Sequence, residues 1–169
     1  TVKTKEQIVR NWLPRYTARS LNGKGVEGWG KYILLTNFSD YVGLFAKRFG
    51  VPVMGLDRPM QSATGKGEGE DLTILNFGMG SAMAATVMDL LVAVEPHAVL
   101  FLGKCGGLKK TKLGDFVLPI AAIRGEGTSN EYMPPEVPAL PSFRLQRAVS
   151  QAIVKHKCDY WTGTVYTTN

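Results

Sequence analysis

The sequence predicts an α/β protein: three αβα layers built on a mixed, mostly parallel sheet with helices on both faces. Three observations predict it. Short apolar runs alternate with helical patterns along the chain, an order that calls for a mainly parallel sheet covered on both sides. Runs such as Leu72 to Phe77 are continuous rather than alternating in polarity, as in strands buried on both faces. The 169 residues, 44% hydrophobic and 20% charged, suit one soluble domain large enough to bury a core.

In order, residues 4 to 12 read as a short amphipathic helix with Ile8, Val9 and Trp12 on one side, stopped by Pro14. The glycine-rich stretch from Leu21 to Gly30 reads as a loop. Lys31 to Thr36 is a first strand, and a helix follows through Phe49, closed by Gly50. Val51 to Met54 is a second short strand, Ser62 to Asp71 a turn or hairpin, and Leu72 to Phe77 a third strand. Ser81 to Val94 is a helix whose small leading residues allow close packing, and Ala98 to Leu102 is a fourth, buried strand. Phe116 to Ile123 is a long strand, and Gly125 to Pro141, with four prolines, a structured loop. Ser142 to His156 is a helix with Ser142 as its N-cap. Tyr160 to Thr168 then begins a strand at which the sequence stops, an unprotected edge that makes the sequence look incomplete.

Composition removes several function classes. No segment reaches the roughly 18 consecutive apolar residues of a membrane span, and the charged N-terminus has no signal-peptide character. A cytoplasmic protein is expected. Cys105 and Cys158 have no C-x-x-C partner, and with only His97 and His156 beside them no metal site is expected. The net charge of +6 comes from scattered residues rather than a basic run, so no nucleic-acid partner is expected. Such a positive field suits a small anionic substrate instead.

In open α/β sheets ligands bind beyond the carboxyl ends of strands. Three turns qualify: TNFS at 36–39, GMGS at 78–81 and GKCGG at 103–107. Gly78, Gly80 and Ser81 open a helix, where glycines admit an anion or sugar to the backbone N–H groups. The turn is not a P-loop, and Met83 stands where the dinucleotide fingerprint needs glycine. The same turn geometry also arises for steric reasons alone. Lys104, between Gly103 and Cys105 at a strand end, offers a compact cation for a phosphate or hydroxyl group.

The run from Val99 to Gly107, the LGDFVLP segment at 113–119, the loop from Ala122 to Ser129 with Pro134 to Pro138, and NFGMGS at 76–81 resemble the purine nucleoside and uridine phosphorylase superfamily. The resemblance covers about residues 30 to 169. Within it, LTNF at 35–38, Tyr41 to Ala46 and TGTVYTT at 162–168 are similar to the AMP nucleosidase branch. The resemblance implies a nucleoside phosphorylase-like domain over 1–169 that lacks its C-terminal part, no cofactor, and a homo-oligomer. It implies hydrolysis of AMP to adenine and ribose 5-phosphate, with a phosphorylase or an inactive nucleotide-binding fragment as alternatives.

It also implies roles. Phosphate-binding arginines of the superfamily correspond here to Phe101 and about Tyr41, and a hydroxyl residue to Lys104. Losing two bidentate anion forks weakens a free-phosphate site and favours water as the nucleophile. The substrate-binding set implied is Asn37 and Phe38, Arg58, Gly78, Gly80 and Ser81, then Lys104, Cys105 and Gly106, with Tyr166 and Thr167. Arg58 falls where the superfamily lends an arginine to a neighbouring subunit, and is otherwise an ordinary loop arginine. Tyr166 falls where a ring lies against the purine, though a strand tyrosine also packs in cores. Phe38 fits either the pocket or packing, and Thr128 and Ser129 shape their loop. The catalytic acid and the ribose-gripping glutamate are expected beyond Asn169.

Overall fold

The computed structural model describes Thr4, Gln7, Trp12 and residues 28–58, 60–108 and 110–167. The helix expected over residues 4 to 12 and most of the loop from Leu21 lie outside the described residues. The chain divides into two compact units, Thr1–Lys104 and Cys105–Asn169.

The first unit is built on β1 (Tyr32–Thr36), β2 (Ser62–Lys66), β3 (Asp71–Asn76) and β4 (Ala98–Leu102), with helices α1 (Ser39–Phe49) and α2 (Ser81–Leu91). The strand order is β2-β3-β1-β4. β1 pairs in parallel with both β3 and β4, and Thr36 stands opposite Asn76 on one side and Leu102 on the other. The three parallel strands therefore end level. β2 runs antiparallel to β3.

Side chains alternate between the sheet's faces, and each face has its own helix. Ile33, Leu35, Leu75 and Phe77 pack with Val87, Leu90 and Leu91 of α2. Leu34, Ala63 and Ile74 pack with Val42 and Ala46 of α1. This unit is thus the expected αβα sandwich. Gly50 ends α1 at φ 63, donating its N–H to the Ala46 carbonyl, a conformation that costs glycine nothing. A single 3₁₀ turn, Val92–Val94, finishes α2. The Lys31 ammonium donates to the Val94 carbonyl (2.6 Å) and to the Glu95 carbonyl (3.3 Å), setting a cation on a negative helix end.

Two expectations need correcting here, those for Val51 to Met54 and for β4, and one open choice is decided. Val51 to Met54 is not a strand. Only Met54 pairs, in an isolated bridge with Ser62, and Pro52 has no N–H to give a ladder. The segment from Ser62 is a true hairpin whose first arm is β2, a strand despite its sequence SATGK. β2 forms because β3 supplies its hydrogen bonds and because Gly65 lets the Phe49 ring lie on it, where a Cβ would come within 2.5 Å of the ring. β4 is half-buried to exposed rather than buried, since it is the edge of the four-stranded sheet.

The second unit is one strand-helix-strand turn. β5 (Phe116–Arg124) and β6 (Tyr160–Thr167) pair in parallel, with α3 (Phe143–Lys155) between them in sequence. The register shifts between Pro119 and Ala121, beside a residue that cannot donate to a ladder. The Gln146 side chain donates to the Pro119 carbonyl at 2.9 Å, and the Ser150 and Tyr160 hydroxyls share a hydrogen bond of 2.7 Å. These two bonds seat α3 on its strands. Ser142 holds the N-cap position of α3, but its hydroxyl makes no capping bond.

Candidate functional site

Because β3, β1 and β4 end level and parallel, the turns that follow them leave from one edge of the sheet, the place where such sheets bind ligands. The central turn follows β1. The fully buried Thr36 hydroxyl accepts the Phe38 N–H at 3.2 Å, which bends the chain and starts α1. Phe38 is the N-cap residue of α1, and no side chain caps the helix. The Asn37 side-chain oxygen is buried within this turn without a hydrogen-bond partner.

The turn after β3 is tied to the central one by a single side chain. The Asn76 side-chain oxygen accepts the Gly78 N–H at 2.9 Å, and its nitrogen donates to the Ser39 hydroxyl at 3.1 Å. Gly78 and Gly80 have φ of 88 and 89, values that need glycine. Gly80 is the N-cap of α2, whose first turn has neither a capping side chain nor an acid. Ser81 is its first residue. Such an end carries about half a positive charge and presents backbone N–H groups to an anion.

From the other side the turn after β4 brings Lys104 to the central turn. Its ammonium sits 4.1 Å from the Phe38 ring centroid and 5.6 Å from that of Tyr41. Phe101 stands on β4 with its ring 5.8 Å from that of Phe77, and it covers Gly103, where a Cβ would fall 2.6 Å from the ring. Asn37, Phe38, Gly78, Gly80, Ser81 and Lys104 thus belong to one row of three turns. Cys105 and Gly106, both exposed, open the second unit.

Arg58 lies on the loop between Met54 and Ser62. Ser62 begins β2 opposite Leu75, so the loop leaves from the carboxyl end of β3. Arg58 is exposed there, and among the described residues its guanidinium meets the neighbouring Asp57 carboxylate, at 3.6 Å. Tyr166 and Thr167 stand at the carboxyl end of β6, opposite Ile123 and Arg124. Tyr166 is exposed, with its ring against the α-carbon of Gly125. The Arg124 guanidinium donates to the carbonyls of Ser129, Met133 and Pro134. The Glu126 carboxylate accepts from the Thr128 N–H at 2.8 Å and from the Ser129 N–H and hydroxyl. Thr128 and Ser129 therefore shape their loop.

Two residues matter more in three dimensions than their sequence suggested. Tyr41 stands out in the sequence only as a position that lacks an arginine, yet it forms the second wall beside Lys104. Its three-residue spacing from Phe38 is the signal that could have found it. Asn76, two residues before Gly78, has the spacing of an Asx turn, but its bond to Ser39 carries no local signal. In the second unit, the Asp115 carboxyl is held below its ordinary range, first by the Lys112 N–H at 2.8 Å and then by the Trp161 indole N–H at 2.9 Å. Among the described residues no three His, Cys, Asp or Glu side chains gather to hold a metal, and no helix is long and apolar enough to cross a membrane.

The family model described as the phosphorylase superfamily matches residues 31–169. A crystal structure of AMP nucleosidase from Bacteroides thetaiotaomicron superposes with a TM-score of 0.90 and 59% identity, covering 98% of this chain and 69% of that one. AMP nucleosidase of Escherichia coli is 26% identical over 89% of this chain and 40% of its own length. Uridine phosphorylase of Treponema pallidum is 30% identical over 80% of this chain and 54% of its own. The chain thus spans about two-fifths of the length of the curated AMP nucleosidases it matches. Uridine phosphorylase from Vibrio fischeri, 22% identical with a TM-score of 0.78, shares the fold.

Proposed function

We propose a reaction from one premise: this chain belongs to the phosphorylase superfamily. The whole protein hydrolyses the N-glycosidic bond of AMP, releasing adenine and ribose 5-phosphate. The similarity to AMP nucleosidases, 59% identity in the Bacteroides structure, supports this substrate. The observation that carries the reaction is the composition of the three turns. TNFS, GMGS and GKCGG contain no arginine and one lysine. A free phosphate nucleophile needs to be gripped in a defined pose, the task for which paired arginine forks are suited. A lone ammonium serves instead to hold a phosphate that arrives attached to the substrate.

In this reading Lys104 and the N–H groups at the start of α2 bind the 5-phosphate. Asn37 offers its unpartnered oxygen to the sugar. Breaking the bond builds positive charge on ribose and negative charge on the base, so the base must be protonated and the sugar met by acceptors. Water then adds to the ribose carbon.

The test is to incubate the full-length protein with AMP, with and without inorganic phosphate. Adenine and ribose 5-phosphate should form at the same rate in both. Strict dependence on phosphate, with ribose 1,5-bisphosphate as product, would overturn hydrolysis and favour a phosphorylase. That second reading is supported by the Treponema uridine phosphorylase, 30% identical over 80% of this chain. Binding of AMP with no cleavage under either condition would leave a nucleotide-binding protein.

A further inference from the structure

We infer that Phe38 and Tyr41 are positioning residues that hold the Lys104 ammonium at the crevice without neutralising it, and so set a preference for nucleoside 5-monophosphates over nucleosides. The inference rests on the reading of Lys104 as the phosphate-binding cation.

A lysine on a glycine-flanked turn has a long flexible stem, and an anion that binds it must first collect it from many rotamers. Here the collection is done beforehand. Phe38 precedes α1 and Tyr41 follows three residues later, so both rings leave the same side of the first helical turn. Their centroids are 5.5 Å apart and their planes inclined at 63°, which makes two walls of a shallow corner. The ammonium lies 4.1 Å from one centroid and 5.6 Å from the other, both inside the roughly 6 Å reach of a cation–π contact.

The chemical kind of the partner decides what the contact does. A carboxylate would hold the ammonium as well, but would cancel its charge and leave a neutral pair facing the substrate. Asp40 lies between the two aromatics in sequence, yet the structure gives it no ion pair with Lys104. A ring face attracts the cation through its quadrupole and accepts no proton from it. The ammonium therefore meets no counter-charge from these two rings and keeps the N–H groups not facing them. A phosphate monoester uses both, whereas the bare 5-hydroxyl of a nucleoside gains little from either.

Calorimetric titration of the full-length protein with AMP and with adenosine tests this without relying on turnover. Phe38→Leu should lower the ratio of AMP to adenosine affinity about two- to fivefold, the size of an exposed cation–π contact, and Phe38→Tyr should restore it. Lys104→Met should lower the ratio further, and Phe38→Leu added to Lys104→Met should change it no more. Tyr41→Leu gives the same reading if Phe38→Leu does not fold. The inference is overturned if Phe38→Leu weakens both ligands equally, or if it still alters the ratio when Lys104 is absent. It is also overturned if the unaltered protein binds both ligands equally. If the ratios behave as expected but AMP is not cleaved, the clamp stands and only the hydrolysis reading falls.

Discussion

The Lys104 ammonium lies 4.1 Å from the Phe38 ring centroid and 5.6 Å from that of Tyr41, so two turns that leave different strands meet at one cation. Gly78 and Gly80, with φ near 90, could be read as a helix-opening turn because hardly any other residue takes that shape. Side-chain partners were less legible. Nothing in the order of residues says that Lys104 returns over Phe38, 66 positions earlier, because the contact exists only once β1 and β4 pair. Asp115 is similar: the sequence shows a turn, and the structure adds an indole N–H from Trp161. Its carboxyl titrates below the ordinary value in the folded chain. Its stabilising contacts are then present above about pH 4, the ordinary aspartate value, and are lost as the pH falls through the lowered folded value. An NMR acid titration should show the Trp161 indole proton shifting with a midpoint below that ordinary value, and Asp115→Asn should abolish the shift. A midpoint at or above the ordinary value would refute the hydrogen-bonded carboxylate.

At the scale of elements, long apolar periodicity served well and short segments did not. The helices α1, α2 and α3 and the strands β1, β3, β5 and β6 lie within a few residues of their expected places. Val51 to Met54 misled because four apolar residues in a row also suit a segment packed on a helix, and Val51 and Val53 do pack against the α1 cluster. β2 was legible only as part of a turn or hairpin, because its five residues SATGK hold three polar side chains and a glycine, and its partners are supplied by β3 and α1. That packing is measurable. Gly65→Ala places a methyl group against the Phe49 ring and should destabilise the protein by about 1–3 kcal/mol, as overpacking does. Chemical denaturation should show the loss, and Phe49→Leu in the same chain should recover part of it. Equal stability of Gly65→Ala and the parent would mean that the ring is not seated on β2.

For the molecule as a whole, α/β layering was legible because alternating elements leave few ways to cover a parallel sheet. The order β2-β3-β1-β4 was not, since periodicity reveals which segments are strands and says nothing about who sits beside whom. Assembly is likewise written outside a single chain. The resemblance that gives Arg58 to a neighbouring subunit leads to the expectation that the full-length protein elutes in size-exclusion chromatography as a homo-oligomer. Arg58→Ala should then weaken AMP binding while leaving that elution volume unchanged. A monomeric parent would return Arg58 to the role of a loop residue paired with Asp57.

The bond that Asn76 makes to both of its neighbours has a consequence for how the protein ages. Only an amide can accept from the Gly78 N–H with one atom and donate to the Ser39 hydroxyl with the other. Deamidation to aspartate at this position would forfeit the donor and place a negative charge in the row of turns that we propose meets the phosphate of AMP. A stored sample should then bind AMP less tightly, and a mass gain of about one dalton on the peptide holding Asn76 should mark the molecules concerned.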